Sequence, residues 1–141
     1  MPKPAITAIV GVLAASILLG TSLTGCSELS NLGAKHKQVD YATWADAPKA
    51  GPTALPTFVP HDAANLYLRT LLDGSGAAIT YTSTEPVDTS QCTPGTLKGK
   101  PRLNSNWWPI GKLPTTGLVC PHGWQLFQQD GATYGWRNEA R

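Results

Sequence analysis

The side chains best suited to recognising a ligand are a short basic cluster and the two tryptophans that follow it. Lys98, Lys100 and Arg102 come just before Trp107 and Trp108, in a stretch without regular periodicity. Cationic side chains attract polyanions with a strength that salt controls, and an indole stacks on sugars or lies at the level of lipid headgroups. These five residues are the predicted ligand contacts, with an envelope glycan, an anionic lipid or another envelope protein as the partner.

The same indole rings could equally pack inside the protein, because an aromatic ring buries a large apolar area in a core. Trp124 and Trp136 lie in stretches that favour strands, so core packing is predicted for them. For Trp107 and Trp108 two interpretations stay open. Either they contact a ligand, or one plugs the core beneath the loop while the other is partly exposed.

The histidines and acidic residues form no recognisable catalytic or metal-binding motif. His36, His61 and His122 are widely separated and lack carboxylates at ligand spacing, so no metal site and no cofactor is predicted. Asp62 and Asp88 are far apart in sequence, whereas a glycoside hydrolase needs two carboxylates that flank one bond. A binding module is therefore the main prediction, and no catalytic residue is assigned. The alternative is a cell-wall or glycan-modifying enzyme with acidic catalytic residues.

The first 26 residues follow the order of a secretory signal. Lys3 gives a positive start, an uncharged apolar run begins near Ala5, and Leu23-Thr24-Gly25-Cys26 ends it. Here the chain resembles the precursors of bacterial lipoproteins, whose lipobox is Leu, a small residue, Gly or Ala, and Cys. The resemblance implies cleavage before Cys26 and a lipid on its sulfur, with acyl chains such as palmitate that anchor the protein to membrane lipid.

That anchor would place the protein on the outer, extracytoplasmic face of the cell membrane. The alternative is an uncleaved transmembrane helix, because the apolar run is close to the ~20 residues that span a bilayer. Either way, the rest of the chain is expected outside the cytoplasm.

With Cys26 assigned to lipid by this resemblance, Cys92 and Cys120 remain as a pair. In an oxidising compartment the simplest account is one disulfide between them. Without it, Cys120 and His122 could supply a metal-ligand pair or a thiol nucleophile. A disulfide would remove that thiol.

Composition bounds the class of protein. The chain has 141 residues and a formal charge of +2, which indicates one small domain and no nucleic-acid partner. Its 14 glycines and 12 prolines indicate abundant turns. In low charge and in scattered Gly and Pro, the mature part resembles small secreted lipoproteins of high-GC Gram-positive bacteria.

Three segments are predicted: a signal peptide at residues 1–25, the lipidated Cys26 with an extended tether at 26–55, and a β-rich domain at 56–141. At the end of the tether and the start of the domain, Pro48, Pro52, Pro56 and Pro60 recur every four residues, a spacing that forbids a helix. Tyr41 and Trp44 are unusual for a pure tether. They indicate packing against the domain or a short helical turn.

Two β-hairpins are predicted within the domain. Strand-prone residues 66–72 and 77–83 flank the turn at 73–76, and residues 124–129 and 132–137 flank Asp130-Gly131. In residues 77–83, every second side chain should face the core, namely Ala77, Ile79 and Tyr81. The alternate residues Ala78, Thr80 and Thr82 should face a wetter surface. Residues 85–118 lack periodicity, so this long loop has a function or hides an element.

The predicted fold is mainly β: a small antiparallel sheet of two hairpins with a long disulfide-pinned loop, after a signal helix and the tether. One face of such a sheet must be covered by the tryptophans or by the proline-rich arm. The predicted function is that of a binding or accessory module at the cell envelope.

Overall fold

The computed structural model describes residues 36–103 and 105–138, which form an antiparallel sheet of seven strands. In chain order the strands are β1 (His36–Thr43), β2 (Ala64–Leu71), β3 (Ala77–Thr82), β4 (Thr93–Thr96), β5 (Thr116–Val119), β6 (Gln125–Gln129) and β7 (Ala132–Arg137). Their order across the sheet is β1-β2-β3-β7-β6-β5-β4. The mainly β class is confirmed.

Helical structure in the described ranges is confined to two 3-10 turns, Trp44–Asp46 and Pro121–Gly123. Neither turn, nor any other described segment, is a helix with the length and apolar character needed to cross a bilayer. The predicted signal peptide and Cys26 lie outside the described residues.

Both predicted hairpins are confirmed, and local turn chemistry accounts for them. Between β2 and β3, the Asp73 carboxylate accepts hydrogen bonds from the Ser75 amide at 2.9 Å and from its hydroxyl at 2.7 Å. Between β6 and β7, Asp130 and Gly131 have φ of 51° and 78°, the pair of positive angles that a type I′ turn requires. The pairing of β3 with β7 joins the two hairpins into one sheet.

The structure differs from the predicted tether over residues 36–55. β1 pairs with β2 along the register from His36 opposite Leu71 to Thr43 opposite Ala64. Partly buried Tyr41, Trp44 and Leu55 pack against the core, so this part belongs to the folded domain. The proline spacing did not prevent it, because Pro48 comes after β1 has ended.

One face of the sheet, called here the core face, carries the main apolar core. One row of paired residues on this face crosses four neighbouring strands, in the order Leu68, Ile79, Gly135 and Leu126. A Cβ on Gly135 would clash with Leu126 Cδ2, so a larger residue at this position would push the Leu126 side chain aside. Phe58, Val59 and Val87, from the segments outside the sheet, belong to the same buried cluster.

The opposite face, called here the tryptophan face, is also covered. Ala78 and Thr80 of β3 point there and are buried, which corrects the prediction of a wetter face for these alternate residues. They lie opposite Trp136 and Tyr134 of β7. The cover is provided by the segment between β4 and β5, through the tryptophan contacts described below.

Candidate functional site

Hydrogen bonds to its backbone hold the long loop between β4 and β5 over the sheet. At its base, the Leu97 amide donates to the Thr115 carbonyl at 2.9 Å. The Gln125 side chain of β6 makes two hydrogen bonds to the backbone of Lys98. Its oxygen accepts from the Lys98 amide, and its nitrogen donates to the Lys98 carbonyl at 2.8 Å. The base of the loop therefore has a fixed path over the sheet.

Asn138, just after β7, holds the next part of the basic cluster in the same way. Its Nδ2 donates to the Lys100 carbonyl at 2.6 Å, and its Oδ1 accepts from the Arg102 amide at 3.3 Å. The side chains of Lys98, Lys100 and Arg102 are all exposed. The three cations are thus presented to solvent from an anchored backbone.

Trp107 attaches the loop to the β1–β2 side of the sheet. Its ring stacks on Tyr67 with centroids 6.3 Å apart and planes 29° apart. Its indole N–H donates to the Gln38 side-chain oxygen at 3.3 Å. Trp107 is half-buried, so part of its surface is used in positioning the loop.

Trp108 packs edge-on against an aromatic cluster of the tryptophan face. Its ring centroid lies 5.8 Å from Phe127, 5.8 Å from Tyr134 and 6.0 Å from Trp136. Such perpendicular arrangements are favourable for aromatic pairs. Trp108 therefore plugs the core beneath the loop, while its half-buried state leaves part of the indole at the surface.

That exposed part of Trp108 lines a cavity of about 460 Å³, called here the loop cavity. Two lysines and three prolines also border it: Lys100, Lys112, Pro101, Pro109 and Pro114. Lys112 was not among the predicted contacts. In the sequence it is a single lysine ten residues or more from the basic cluster, and only the path of the loop brings it to the same cavity.

Four of the five predicted contacts are divided among three places, and the fifth, Arg102, is exposed beside Asn138. Lys100 and Trp108 share the loop cavity. Lys98 borders a neighbouring cavity of about 570 Å³ with Gln125 and Asn138. Trp107 lies over β2.

The histidines occupy separate surroundings. His36 contacts Arg69, and His122 adopts a left-handed conformation with φ of 60° in the turn before β6. The His61 ring packs against Trp44 at a tilt of 37° with centroids 4.0 Å apart, and the Lys49 ammonium lies 3.4 Å from the centroid of the same indole. Within residues 36–103 and 105–138, no group of three or more His, Cys, Asp or Glu side chains is placed to hold a metal ion.

Cys92 and Cys120 are joined in a disulfide, as predicted, with a sequence separation of 28 residues. The bond links the residue before β4 to the residue after β5. Because both sulfurs are used, a thiol nucleophile or a thiolate ligand beside His122 does not exist in this state.

Asp62 connects its own turn to the segment after β3. Its carboxylate accepts hydrogen bonds from the Ser83 hydroxyl, from the Thr84 amide at 2.8 Å and hydroxyl at 2.6 Å, and from the Glu85 amide at 3.1 Å. These bonds, the Ser83 hydroxyl first, hold the pKa of Asp62 well below its ordinary value. Asp88 accepts from Ser90 within its own turn, which also lowers its pKa. Each carboxylate thus has its own local donors.

The depressed pKa of Asp62 predicts a loss of stability in acid. A carboxyl whose pKa is lower in the folded than in the unfolded chain stabilises the fold above about pH 4, and this contribution disappears as pH falls below that. We expect the drop in thermal midpoint from pH 6 to pH 3 to be smaller in Asp62→Asn than in the wild type. Ser83→Ala, which removes the largest cause, should reduce the drop in the same direction. Equal drops in all three proteins would contradict this role.

Comparison of the chain with protein-family models, with curated proteins and with solved structures found no match.

Proposed function

We propose that this chain is a lipid-anchored binding module on the extracytoplasmic face of the cell membrane, and that its loop cavity holds an anionic glycan polymer of the envelope. The observation that carries the proposal is the convergence of Lys100, Lys112 and Trp108 on one cavity. None of the three is adjacent to another in sequence, and the loop that brings them together is fastened at both its base and its middle.

The composition of the loop cavity suits a ligand that carries both charge and a sugar face. Two ammonium groups attract phosphate or carboxylate groups, and the exposed part of the indole offers an apolar surface to a sugar ring. Lys100 and Lys112 are exposed, so their attraction is screened by salt and each contact is weak. A repeating polymer compensates for weak contacts, because its many equivalent units raise the local concentration of units that can occupy the site.

Two features support the extracytoplasmic location. The lipobox resemblance at residues 23–26 implies export and acylation at Cys26. The Cys92–Cys120 disulfide is the kind of bond that forms and persists in an oxidising compartment.

Neutralising the two lysines of the loop cavity tests the proposal. Lys100→Gln/Lys112→Gln should weaken binding of a glucosylated poly(glycerol phosphate) teichoic acid, which carries both phosphate and sugar rings, by about tenfold at low salt, since an exposed ion pair contributes up to ~1 kcal/mol. The dissociation constant can be followed by titration calorimetry at two salt concentrations. Raising the salt should weaken the wild type more than the variant, because the variant has fewer charges to screen.

Lys49→Gln is the matched control, because Lys49 is an exposed lysine that borders a different cavity, on Trp44. It should bind the polymer like the wild type. Equal weakening by Lys49→Gln would show a diffuse charge effect and overturn the loop cavity as the site. New chain ends appearing during the titration would instead support the alternative of a glycan-modifying enzyme.

A further inference from the structure

The chain enters the sheet at a defined end. β1 starts at His36, which lies opposite Leu71 at the beginning of the β2–β3 turn. After that turn, Ala77 lies opposite Arg137, where β7 ends. The start of β1, the β2–β3 turn and the end of β7 therefore share one end of the sheet, called here the entry end.

The basic cluster crosses this same end. Lys98 is bracketed by Gln125, the first residue of β6, which lies opposite Trp136 near the end of β7. The Asn138 side chain, directly after β7, makes hydrogen bonds to the backbone of Lys100 and of Arg102. The backbone that carries the three cations is thus tied to the entry end at two places.

The cluster extends as far as the β2–β3 turn. The pKa of Asp73 in that turn is lowered mainly by the Ser75 hydrogen bonds, and the charge of Arg102 adds to the lowering. Leu72, beside it, is 66% exposed. The three cations therefore lie along the entry end from β6 to the end of β7, and Leu72 is an exposed apolar side chain at the same end.

The length of chain before His36 limits how far this end can lie from an anchor. Nine residues separate Cys26 from His36. Fully extended, a segment of this length reaches at most about 35 Å, and as a flexible coil it averages roughly half of that. A lipid on Cys26 would therefore keep the entry end close to the bilayer, where headgroup charge acts over about 10 Å.

We propose that the entry end faces the bilayer and that Lys98, Lys100 and Arg102 contact its anionic headgroups. The inference rests on the proposed anchor at Cys26. Because the anchor already holds the domain at the membrane, weak attraction is enough to select one orientation. Lys100 also borders the loop cavity, whereas Lys98 and Arg102 do not, so the orientation can be tested without changing that cavity.

The test uses the mature lipidated protein in phosphatidylcholine vesicles with and without phosphatidylglycerol. A fluorophore is attached to Leu72→Cys at the entry end, or to Gln129→Cys at the far end of β6, both exposed positions. A lipid with a nitroxide on its headgroup then quenches labels near the membrane. In vesicles with phosphatidylglycerol, we expect several-fold stronger quenching at position 72 than at position 129.

The difference should shrink in Lys98→Gln/Arg102→Gln, in phosphatidylcholine alone and in about 1 M salt, where screening acts within ~3 Å. Lys49→Gln should leave it unchanged. A protein that floats with the vesicles but is quenched equally at both positions would overturn the orientation and leave the anchor standing. A protein that fails to float with any vesicle would overturn the anchor and this inference with it.

Discussion

Removal of the Cys92–Cys120 disulfide is expected to lower the free energy of unfolding by about 3–4 kcal/mol. The bond closes a loop with a sequence separation of 28 residues, so the unfolded chain gains conformational freedom when it is broken. Both half-cystines are buried, and the bond fixes the ends of β4 and β5 beside each other. For a domain whose whole stability is ~5–15 kcal/mol, this is a large fraction.

Guanidinium unfolding with and without reductant measures the effect. Cys92→Ala/Cys120→Ala should unfold at a lower denaturant concentration than the oxidised wild type and should not respond to reductant. Alanine is preferred to serine here, because a buried unpaired hydroxyl would add a cost of its own. An unchanged midpoint in a wild type shown by mass to be fully reduced would contradict the prediction.

Local turn chemistry explains which parts of the fold could be predicted from the sequence. Asp130-Gly131 specifies its hairpin through two positive φ angles, and Asp73 specifies the other through hydrogen bonds to Ser75. These signals act within four residues and need no knowledge of the rest of the chain. The disulfide followed from the number of cysteines once Cys26 was set apart.

The edge strands could not be predicted, because their pairing depends on distant partners. β4 contains Pro94 and Gly95, two residues that disfavour strands, and it pairs with β5 beside the disulfide. Proline is tolerated there because an edge strand needs donors on one side alone. In β1, Val39 and Tyr41 supply the inward apolar side chains, a signal too short to stand out from the composition of a tether.

Dependence on residues distant in sequence also explains why only part of the candidate site could be predicted. The basic cluster and the neighbouring tryptophans were visible as a local pattern, but the approach of Lys112 to Lys100 depends on the path of the whole loop. The sequence does contain a signal for the covered face of the sheet. Ala78 and Thr80 are small residues on the tryptophan face, and small side chains on a sheet leave room for large rings from elsewhere.

Trp136→Ala is expected to have the largest effect on stability of any aromatic substitution, about 3–5 kcal/mol. Trp136 is 0% exposed and lies beneath Trp108, with Phe127 6.1 Å away on its own sheet face. Removing its ring would leave a cavity under the loop and withdraw the surface on which Trp108 rests. Chemical unfolding of purified protein measures the loss.

Trp136→Phe is the milder comparison variant, because it keeps part of the aromatic ring. It removes the indole N–H, which has no hydrogen-bond partner within residues 36–103 and 105–138, and it keeps an aromatic ring in place. Its loss of stability should therefore be clearly smaller than that of the alanine variant. A loss as large as that of Trp136→Ala would contradict the assignment of the effect to the packing of an aromatic ring at this position.

Trp108→Ala tests whether Trp108 acts both in the aromatic cluster and in the loop cavity. Because Trp108 is half-buried, its truncation should cost about 2–3 kcal/mol, less than a fully buried tryptophan. It should also weaken polymer binding in conditions where the variant is fully folded, because the indole lines the cavity and holds the loop that presents both lysines. Trp136→Phe is the control, since it perturbs the same cluster without lining the cavity. A Trp108→Ala protein that is destabilised yet binds the polymer like Trp136→Phe would assign Trp108 to packing alone and exclude it from the binding site.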